Sequence, residues 1–188
     1  MPYRRGIGAG IAAAGMTAAG ALSALQARPA GDVAQAIRSI RARVESVDAC
    51  TRKGCTKATR DLPGESAEGG TVVGYFQRGA LCKIEATFYG ETGKVVEEYY
   101  LTQRSPCFTL TTLQKYDQPL GSHQRNTPPG TVAHTIRERF YFAQGHLIRW
   151  LGDGNRSIPL TSPAARARER TLLADAARFT ALFPPPRR

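Results

Sequence analysis

Apolar residues recur at helical spacing near the start of the chain. Asp32 is a favoured N-cap residue, and Gln35, three positions later, completes a capping box. The apolar positions around and after them are Val33, Ile37, Ile40, Val44 and Val47. The pattern predicts a helix over about residues 32–47, with one apolar stripe that packs on the rest of the domain.

A second helix is predicted at the other end of the chain. Ser162 and Pro163 form a favoured N-cap and first-turn pair. The apolar stripe that follows consists of Leu172, Ala176, Phe179 and Phe183. We therefore expect a helix over about residues 163–183. It either docks on a sheet or, because its other side is rich in arginine, lies on a membrane surface.

Between the two helices, apolar and polar residues alternate with the period of a β-strand. Turn residues divide this part of the chain into six predicted strands, over about residues 71–77, 80–89, 94–103, 108–116, 132–143 and 146–151. The polar stretches 48–70 and 117–131 contain proline and glycine and are predicted to be loops. The turn between Gly90 and Gly93 has two plausible lengths, so the pattern does not decide whether Tyr99 or Tyr100 faces the core.

One hairpin unit occurs twice. Residues 75–84 and 141–150 both read Tyr-Phe-x-x-Gly-x-Leu-x-basic-apolar. In each copy the glycine can adopt the positive φ that a tight turn between two strands needs. A repeated hairpin predicts a meander. The chain therefore predicts an α+β fold, in which a sheet of about six antiparallel strands packs with an N-terminal and a C-terminal helix.

The N-terminus has the pattern of a secretory signal peptide. Two arginines are followed by residues 6–27, which carry no charge and end in small side chains. Cleavage after Ala27 is the favoured interpretation and cleavage after Ala21 the second. A retained membrane anchor is the alternative, although a stretch of mostly alanine and glycine inserts weakly. We expect a leader over residues 1–27, one domain over 28–188, and a secreted or periplasmic bacterial protein with no transmembrane span in the mature chain.

The charge of the chain narrows the class of partner. The sequence has 26 Lys and Arg against 15 Asp and Glu, a net charge of +11. Loss of the leader removes two arginines and no acid, which leaves 24 against 15, or +9. A protein of this charge is attracted to polyanions. Because export separates the chain from nucleic acid, the expected partners are an anionic envelope component or another protein.

Four cysteines lie beyond the leader, as expected for disulfides in an oxidising compartment. Of the three connectivities we favour Cys50 with Cys55, across a short loop, which leaves Cys82 with Cys107. Positions on two strands that flank a third are about 9 to 10 Å apart, beyond the roughly 7 Å limit of a disulfide. The second pair therefore requires Cys107 to lie in a bend after Pro106. The spacings match no metal site, and no metal or cofactor is expected.

No set of residues identifies a reaction. The three histidines are scattered, and the sequence has no phosphate-binding loop and no dinucleotide fingerprint. Four glutamates on the predicted strands can pair across the sheet, as cleavage of a glycosidic bond requires, namely Glu85, Glu97, Glu98 and Glu138. Ion pairs with neighbouring basic residues are the simpler interpretation. The lack of a catalytic set favours a protein that is not an enzyme.

The two hairpins indicate a binding surface. With regular two-residue turns, Tyr75, Tyr141, Arg139 and Trp150 lie on equivalent faces, and Arg139 is placed for a cation–π contact with Trp150. The candidate binding residues are Tyr75, Arg139, Tyr141, Arg149 and Trp150, of types that dominate binding hot spots. The alternative is that the helices cover this face and the aromatic residues belong to the core.

Several segments resemble a group of uncharacterised secreted or envelope proteins of bacteria. They are Glu68-Gly69-Gly70, Leu81-Cys82-Lys83-Ile84, Gly90-Glu91-Thr92-Gly93-Lys94, Glu98-Tyr99-Tyr100 and the second hairpin, Tyr141 to Trp150. The hairpin unit is also similar to MORN-type repeats. The resemblance implies the fold and the location and assigns no functional residue. The cysteines depart from the common pattern of that group, which implies that the disulfides are particular to this chain.

These observations lead to one functional expectation with two alternatives. We expect a secreted or periplasmic, non-enzymatic binding or inhibitory module that recognises an envelope component or a protein partner. The alternatives are a small hydrolase of envelope polymers, which uses carboxylates of the sheet, and a structural envelope protein.

Overall fold

The computed structural model describes residues 30–64, 66, 68–121 and 130–185. The predicted leader, residues 1–27, lies outside the described residues, as does most of the predicted loop 117–131. A helix at each end flanks a run of strands. The elements are α1 (Ala30–Lys53), β1 (Thr56–Asp61), β2 (Gly70–Gln77), β3 (Ala80–Gly90), β4 (Gly93–Thr102), β5 (Ser105–Tyr116), β6 (Val132–Ala143), β7 (His146–Leu151), a 3-10 turn (Asp153–Asn155), β8 (Ser157–Ile158) and α2 (Pro163–Ala181).

The strands form one antiparallel sheet in chain order, from β1 to β8. This confirms the predicted α+β meander, with eight described strands in place of six. Both additional strands lie at the edges of the sheet. β1 falls within the predicted loop 48–70 and is exposed at all positions except Ala58, so it shows no apolar alternation to read. β8 contains only two residues and lacks a periodic pattern for the same reason.

The two helices pack on opposite faces of the sheet, which we call the α1 face and the α2 face. Successive residues of a strand point to opposite faces. In β4, Tyr99 belongs to the core under α2 and Tyr100 to the core under α1. Both tyrosines are therefore buried, and the turn between Gly90 and Gly93, whose length the sequence leaves open, contains two residues.

Helix α1 buries the stripe that its periodicity predicts. Its apolar residues pack on the α1 face against a cluster of strand residues that includes Tyr75, Cys82, Tyr100, Cys107, Phe108, Tyr141 and Leu151. The helix runs six residues beyond its predicted end, to Lys53, and Gly54 then adopts a φ of +103°. Cys50 and Cys55 form the predicted disulfide, with their Cα atoms 5.3 Å apart, which ties the end of the helix to β1.

Helix α2 begins as predicted, because the Ser162 side chain accepts a hydrogen bond from the Ala165 amide and Pro163 occupies the first turn. Its apolar stripe packs on the α2 face against strand residues that include Val72, Ile84, Tyr99, Leu101, Phe140 and Phe142. At its C-terminal end Phe183 lies over β2 at Gly74, where a Cβ atom would come within 3.0 Å of the phenyl ring. Arg104 donates hydrogen bonds to the carbonyls of Thr180 and Phe183 (2.8 and 3.0 Å), which fixes this end of the helix.

The tight hairpin occurs three times and not twice. The turns are Arg78-Gly79, Gln103-Arg104 and Gln144-Gly145, and all six residues have positive φ, between 50° and 78°. This is the geometry of a type I′ turn, in which glycine is favoured and arginine is not. The middle copy was missed because Arg104 stands where the others have glycine. Strand β5 consequently begins at Ser105, before the predicted bend at Pro106.

Each of the three hairpins contains a β-bulge three residues after its turn. Tyr75 pairs with Lys83 and Phe76 with Leu81, which leaves Cys82 as the extra residue. The same shift leaves Cys107 unpaired in the second hairpin and Ile148 in the third. A bulge moves every later residue of its strand to the opposite face, relative to a regular hairpin. The residues that share a face therefore differ from those that regular two-residue turns predict.

Candidate functional site

The predicted binding residues do not share one surface. Tyr75, Arg139, Tyr141 and Arg149 lie on the α1 face, but Trp150 lies on the α2 face. Tyr75 and Tyr141 stand on β2 and β6, so four strand spacings, or about 19 Å, separate them. Trp150 therefore does not share the face on which regular turns would place it with Tyr75, Tyr141 and Arg139, and the bulge in the third hairpin is the reason.

The predicted cation–π contact between Arg139 and Trp150 is also absent from the described contacts. In the pairing of β6 with β7, Arg139 is opposite Leu151, whereas Phe140 is opposite Trp150. The Trp150 ring lies 5.3 Å from the Phe140 ring, and its Nε1 donates a hydrogen bond to Glu138 (3.1 Å). Trp150 therefore supports a carboxylate on the α2 face.

The tyrosines of the repeat belong to the core beneath α1. One row crosses six strands on the α1 face and consists of Tyr75, Lys83, Tyr100, Phe108, Tyr141 and Arg149. The ring centroids of Tyr100 and Phe108 are 5.5 Å apart, and those of Phe108 and Tyr141 are 5.0 Å apart. Tyr75 and Tyr141 are buried, so neither offers a ring to a ligand.

Lys83 is the centre of a buried polar network in this row. Its ammonium group pairs with Glu98 and lies 3.9 Å from Glu85. It also lies 5.6 Å from the ring of Tyr75 and 4.8 Å from that of Tyr100, in cation–π contact with both. Burial raises the pKa of Tyr75 to about 12, and burial likewise raises the pKa of Tyr100.

The polar network around Lys83 also connects α1 to the sheet. Because its pKa is raised, the Tyr100 phenol stays protonated and donates a hydrogen bond to Asp48 of α1 (2.8 Å). Of the four glutamates considered for catalysis, Glu85 and Glu98 are engaged with Lys83 here. A buried lysine with two carboxylates and two aromatic rings has its charge fully compensated, so this cluster has a structural role.

A cleft opens where α1 passes over the hairpin turns, and we call it the turn cleft. It has a volume of about 500 Å³. Its walls are formed by α1 residues Ala36, Ser39, Ile40 and Arg43, by residues 102, 103 and 105–107 around the second turn, and by Phe142 to Gly145 at the third. Ala36, Ile40 and Cys107 are the apolar lining residues on the α1 face, and serine, threonine and glutamine side chains supply the polar lining.

Arg43 is the one charged residue in the lining of the turn cleft. Its Nε donates to the carbonyl of Leu101 (3.1 Å) and its Nη1 to the side chain of Gln77 (3.4 Å). Within the described part of the chain, Arg43 has no carboxylate within ion-pair distance. A partly buried guanidinium without a counter-charge attracts an anion, since Arg groups of this kind are normally paired.

Two free thiols lie near this arginine. Cys82 and Cys107 are both buried and unpaired, so the predicted disulfide between them does not form. They are the bulge residues of two hairpins, on β3 and β5, and β4 runs between them. Burial raises the pKa of both thiols, against the opposing effect of Arg43. Cys107 also lines the turn cleft.

Another cleft lies on the α2 face, beside the helix, and we call it the α2 cleft. It has a volume of about 260 Å³, and two parallel rows of side chains form its floor. One row is apolar and the other is polar. Across β4, β5 and β6 the apolar row is Val95, Leu113 and Ile136, and the polar row is Glu97, Thr111 and Glu138. Arg168 of α2 forms the wall.

The polar row is held by directed hydrogen bonds. Arg168 donates to Thr111 Oγ1 (2.9 Å) and lies 3.3 Å from Glu97 Oε1, while the Tyr99 phenol donates to the other oxygen of Glu97. Burial raises the pKa of Tyr99, so this phenol remains a donor. Two carboxylates and one guanidinium give this cleft a local charge of −1, in a protein that is basic overall.

Sequence reasoning missed the two arginines that shape the clefts. Arg43 lies three residues after Ile40 and four before Val47, at the border of the apolar stripe. Arg168 lies four residues before Leu172 and has the same relation to the second stripe. Both arginines could have been found from their position, because each lies three or four residues from a buried apolar residue of its helix. At that spacing the aliphatic part of the arginine side chain is covered and the guanidinium reaches the sheet.

The fold and the clefts define a class of protein, namely a meander sheet between two helices with a cleft on each face. Neither described helix is long and apolar enough to cross a membrane. The chain has no significant match to a protein-family model, to a curated protein or to a solved structure.

Proposed function

We propose that the protein is a secreted or periplasmic binding module that holds an anionic amphiphile of the cell envelope in the turn cleft. The observation that carries the proposal is Arg43, a partly buried cation without a carboxylate partner in the described part of the chain, at the wall of a cleft of about 500 Å³. The ligand supplies the missing negative charge, as a carboxylate or a phosphate.

The rest of the lining of the turn cleft favours a ligand that has an apolar portion attached to its anionic group. A volume of about 500 Å³ lies within the range of small-ligand sites, which combine apolar walls with a few placed polar groups. Ala36, Ile40 and Cys107 provide the apolar contact, and the serine and glutamine side chains of the lining are exposed to water. An acyl chain with an acidic head matches this distribution.

The predicted export and the basic net charge support the same class of ligand. A net charge of +9 after loss of the leader raises the local concentration of anions around the whole molecule, and the effect weakens with salt. The cleft then selects, among anions, those with an apolar portion. The proposal therefore keeps the binding function expected from the sequence and adds the ligand class, an anion with an apolar portion.

The test measures binding of dodecanoate and dodecyl phosphate by calorimetry to the wild type and to Arg43→Gln and Arg41→Gln. Arg41 is exposed on the same helix, so its variant loses the same charge outside the cleft. Loss of a charge-assisted hydrogen bond costs about 1.5–3 kcal/mol, so Arg43→Gln should weaken binding about tenfold or more, and Arg41→Gln less than twofold.

A third variant tests whether binding requires the space of the cleft as well as the charge of Arg43. Ala36→Phe fills the cleft without changing any charge and should abolish binding of both amphiphiles, while thermal unfolding shows that the domain is intact. Equal affinities of the Arg43 and Arg41 variants would reject the proposal. Equal binding of dodecyltrimethylammonium, which has the opposite charge, would also reject it.

A hydrolase of envelope polymers is the second candidate, and one observation favours it. Glu97 and Glu138 line the same cleft from β4 and β6, two strand spacings or about 10 Å apart at their backbones, where an inverting glycosidase needs carboxyls about 6.5–9.5 Å apart. The Tyr99 phenol donates to Glu97 and the Trp150 indole donates to Glu138, so both carboxyl groups are held in place. Release of soluble sugar from isolated cell-wall polymer by the wild type, and its loss in Glu97→Gln, would support this candidate.

The third alternative, a structural envelope protein, predicts no saturable binding of either amphiphile at any ionic strength. The calorimetric experiment therefore also decides between a binding module and this alternative.

A further inference from the structure

The α2 cleft has the layout of a site for a small amphipathic ring. Its apolar row, Val95, Leu113 and Ile136, and its polar row, Glu97, Thr111 and Glu138, run side by side across three strands. Three strands span about 10 Å, which is the length of two linked sugar rings. An occupant that lies across the strands therefore has one side on aliphatic groups and the other on hydrogen-bonding groups.

The polar side offers both acceptors and donors. Glu138 Oε1 accepts from Trp150, and within the described part of the chain its Oε2 has no hydrogen-bond partner. Arg168 uses Nη2 for both Glu97 and Thr111, and its guanidinium lies 5.2 Å from the ring of Phe140, so its Nε and Nη1 have no hydrogen-bond partner among the described residues. One unused carboxylate oxygen and two unused guanidinium nitrogens thus border the same space of about 260 Å³.

This combination selects among ligand chemistries. Arg168 is paired with Glu97, so an anion would be repelled by Glu138, and a cation could not accept a hydrogen bond from the unused guanidinium nitrogens. A neutral hydroxyl group both donates and accepts, so it can donate to Glu138 and accept from Arg168. Aliphatic C–H groups on the other side of the ring match the apolar row.

We propose that the α2 cleft binds a neutral sugar ring, with hydroxyl groups on Glu138 and Arg168 and its C–H side on Leu113. The site is separate from the turn cleft, on the opposite face of the sheet, and does not depend on the function proposed for that cleft. The proposal is for binding without cleavage, and the hydrolase considered above is the alternative for the same cleft.

The test is a titration of the ¹⁵N-labelled protein with cellobiose and chitobiose to tens of millimolar, followed by amide chemical shifts. Saturable shifts are expected at residues 95–97, 111–113 and 136–138. Glu138→Gln replaces an acceptor by a donor and should weaken binding about fivefold. Glu45→Gln, an exposed carboxylate on α1, is the matched control and should leave the affinity unchanged.

Leu113→Trp is a second variant, which fills the cleft without touching the polar row, and it should abolish the shifts while the spectrum keeps its native dispersion. Non-saturating shifts spread over the surface would overturn the proposal. So would equal affinities of Glu138→Gln and Glu45→Gln, or tighter binding of butylammonium than of either sugar. Release of monosaccharide during the titration would overturn the assignment as a binding site and favour the hydrolase.

Discussion

Cys82 and Cys107 occupy the same position in two successive hairpins. Each is the extra residue of a β-bulge, and each thiol donates to the carbonyl of the tyrosine seven residues earlier, Tyr75 at 3.2 Å and Tyr100 at 3.3 Å. The two thiols repeat one structural role, and strand β4 separates the strands that carry them. Equivalent positions on β3 and β5 are about 10 Å apart, which is too far for a disulfide.

We expect the native protein to contain one disulfide and two unreactive thiols. Because burial raises the pKa of both, little thiolate forms at neutral pH, and a thiol-reactive dye should label neither cysteine until denaturant is added. Labelling in denaturant should then give two equivalents per chain. Intact mass before and after reduction should differ by two hydrogens, and a difference of four would show that the second bridge exists.

Reduction of the Cys50–Cys55 bridge should destabilise the protein modestly. The bridge closes a loop with a sequence separation of 5, for which the chain-entropy relation gives about 2 kcal/mol. The double variant Cys50→Ser/Cys55→Ser should lose a similar free energy of unfolding in urea. Reductant should have no further effect on this variant. Further destabilisation of the double variant by reductant would mean that another disulfide contributes.

Replacement of Arg104 tests a contact between a hairpin turn and the end of α2. Arg104→Ala removes the hydrogen bonds to Thr180 and Phe183 and should cost about 1–2 kcal/mol in urea unfolding. Arg104→Gly removes the same bonds but relieves a non-glycine φ of +67°, so it should cost less. An equal loss for the two variants would show that the backbone conformation contributes nothing.

Arg78→Ala is the control for this comparison. Arg78 lies in the corresponding turn of the first hairpin with a φ of +51°, and no side-chain contact of Arg78 is found in the described structure. Its replacement should change the stability by less than about 0.5 kcal/mol. A larger effect would show that turn arginines matter for a reason other than the contact with α2.

The buried phenols predict a loss of stability at alkaline pH. Below about pH 10 the Tyr75 phenol is protonated in the folded and the unfolded chain. Between pH 10 and about 12 only the unfolded chain releases the proton, because burial raises the folded pKa to about 12. The free energy of unfolding should therefore fall as the pH rises through this window, with Tyr99 and Tyr100 acting in the same direction.

Thermal midpoints measured from pH 9 to pH 11 test this expectation. Tyr75→Phe should flatten the alkaline decline, since one of the shifted groups is removed. Tyr89→Phe is the control, because Tyr89 is 36% exposed and should leave the slope unchanged. A slope that is the same in the wild type and in Tyr75→Phe would contradict the assignment.

The candidate clefts could be predicted only in part. The sequence placed Glu97 and Glu138 on strands and identified a repeated hairpin. It did not show that these two glutamates share a cleft with Arg168, because strand register and helix docking bring them together. The second hairpin, which the sequence analysis missed, had a readable signal: a tyrosine followed by a cysteine seven residues later occurs at Tyr75 and again at Tyr100.

The sequence by itself determined the elements and their order. Helical stripes, strand alternation and turn residues are local, so α1, the six inner strands, α2 and the Cys50–Cys55 bridge followed from residues close together in the chain. The tertiary structure decided which face each side chain occupies. Three bulges reverse the faces, and that is why Trp150 supports Glu138 instead of joining Arg139. The position of a bulge depends on how two strands pair and on how a helix packs over them. The local pattern of apolar and polar residues does not specify this pairing.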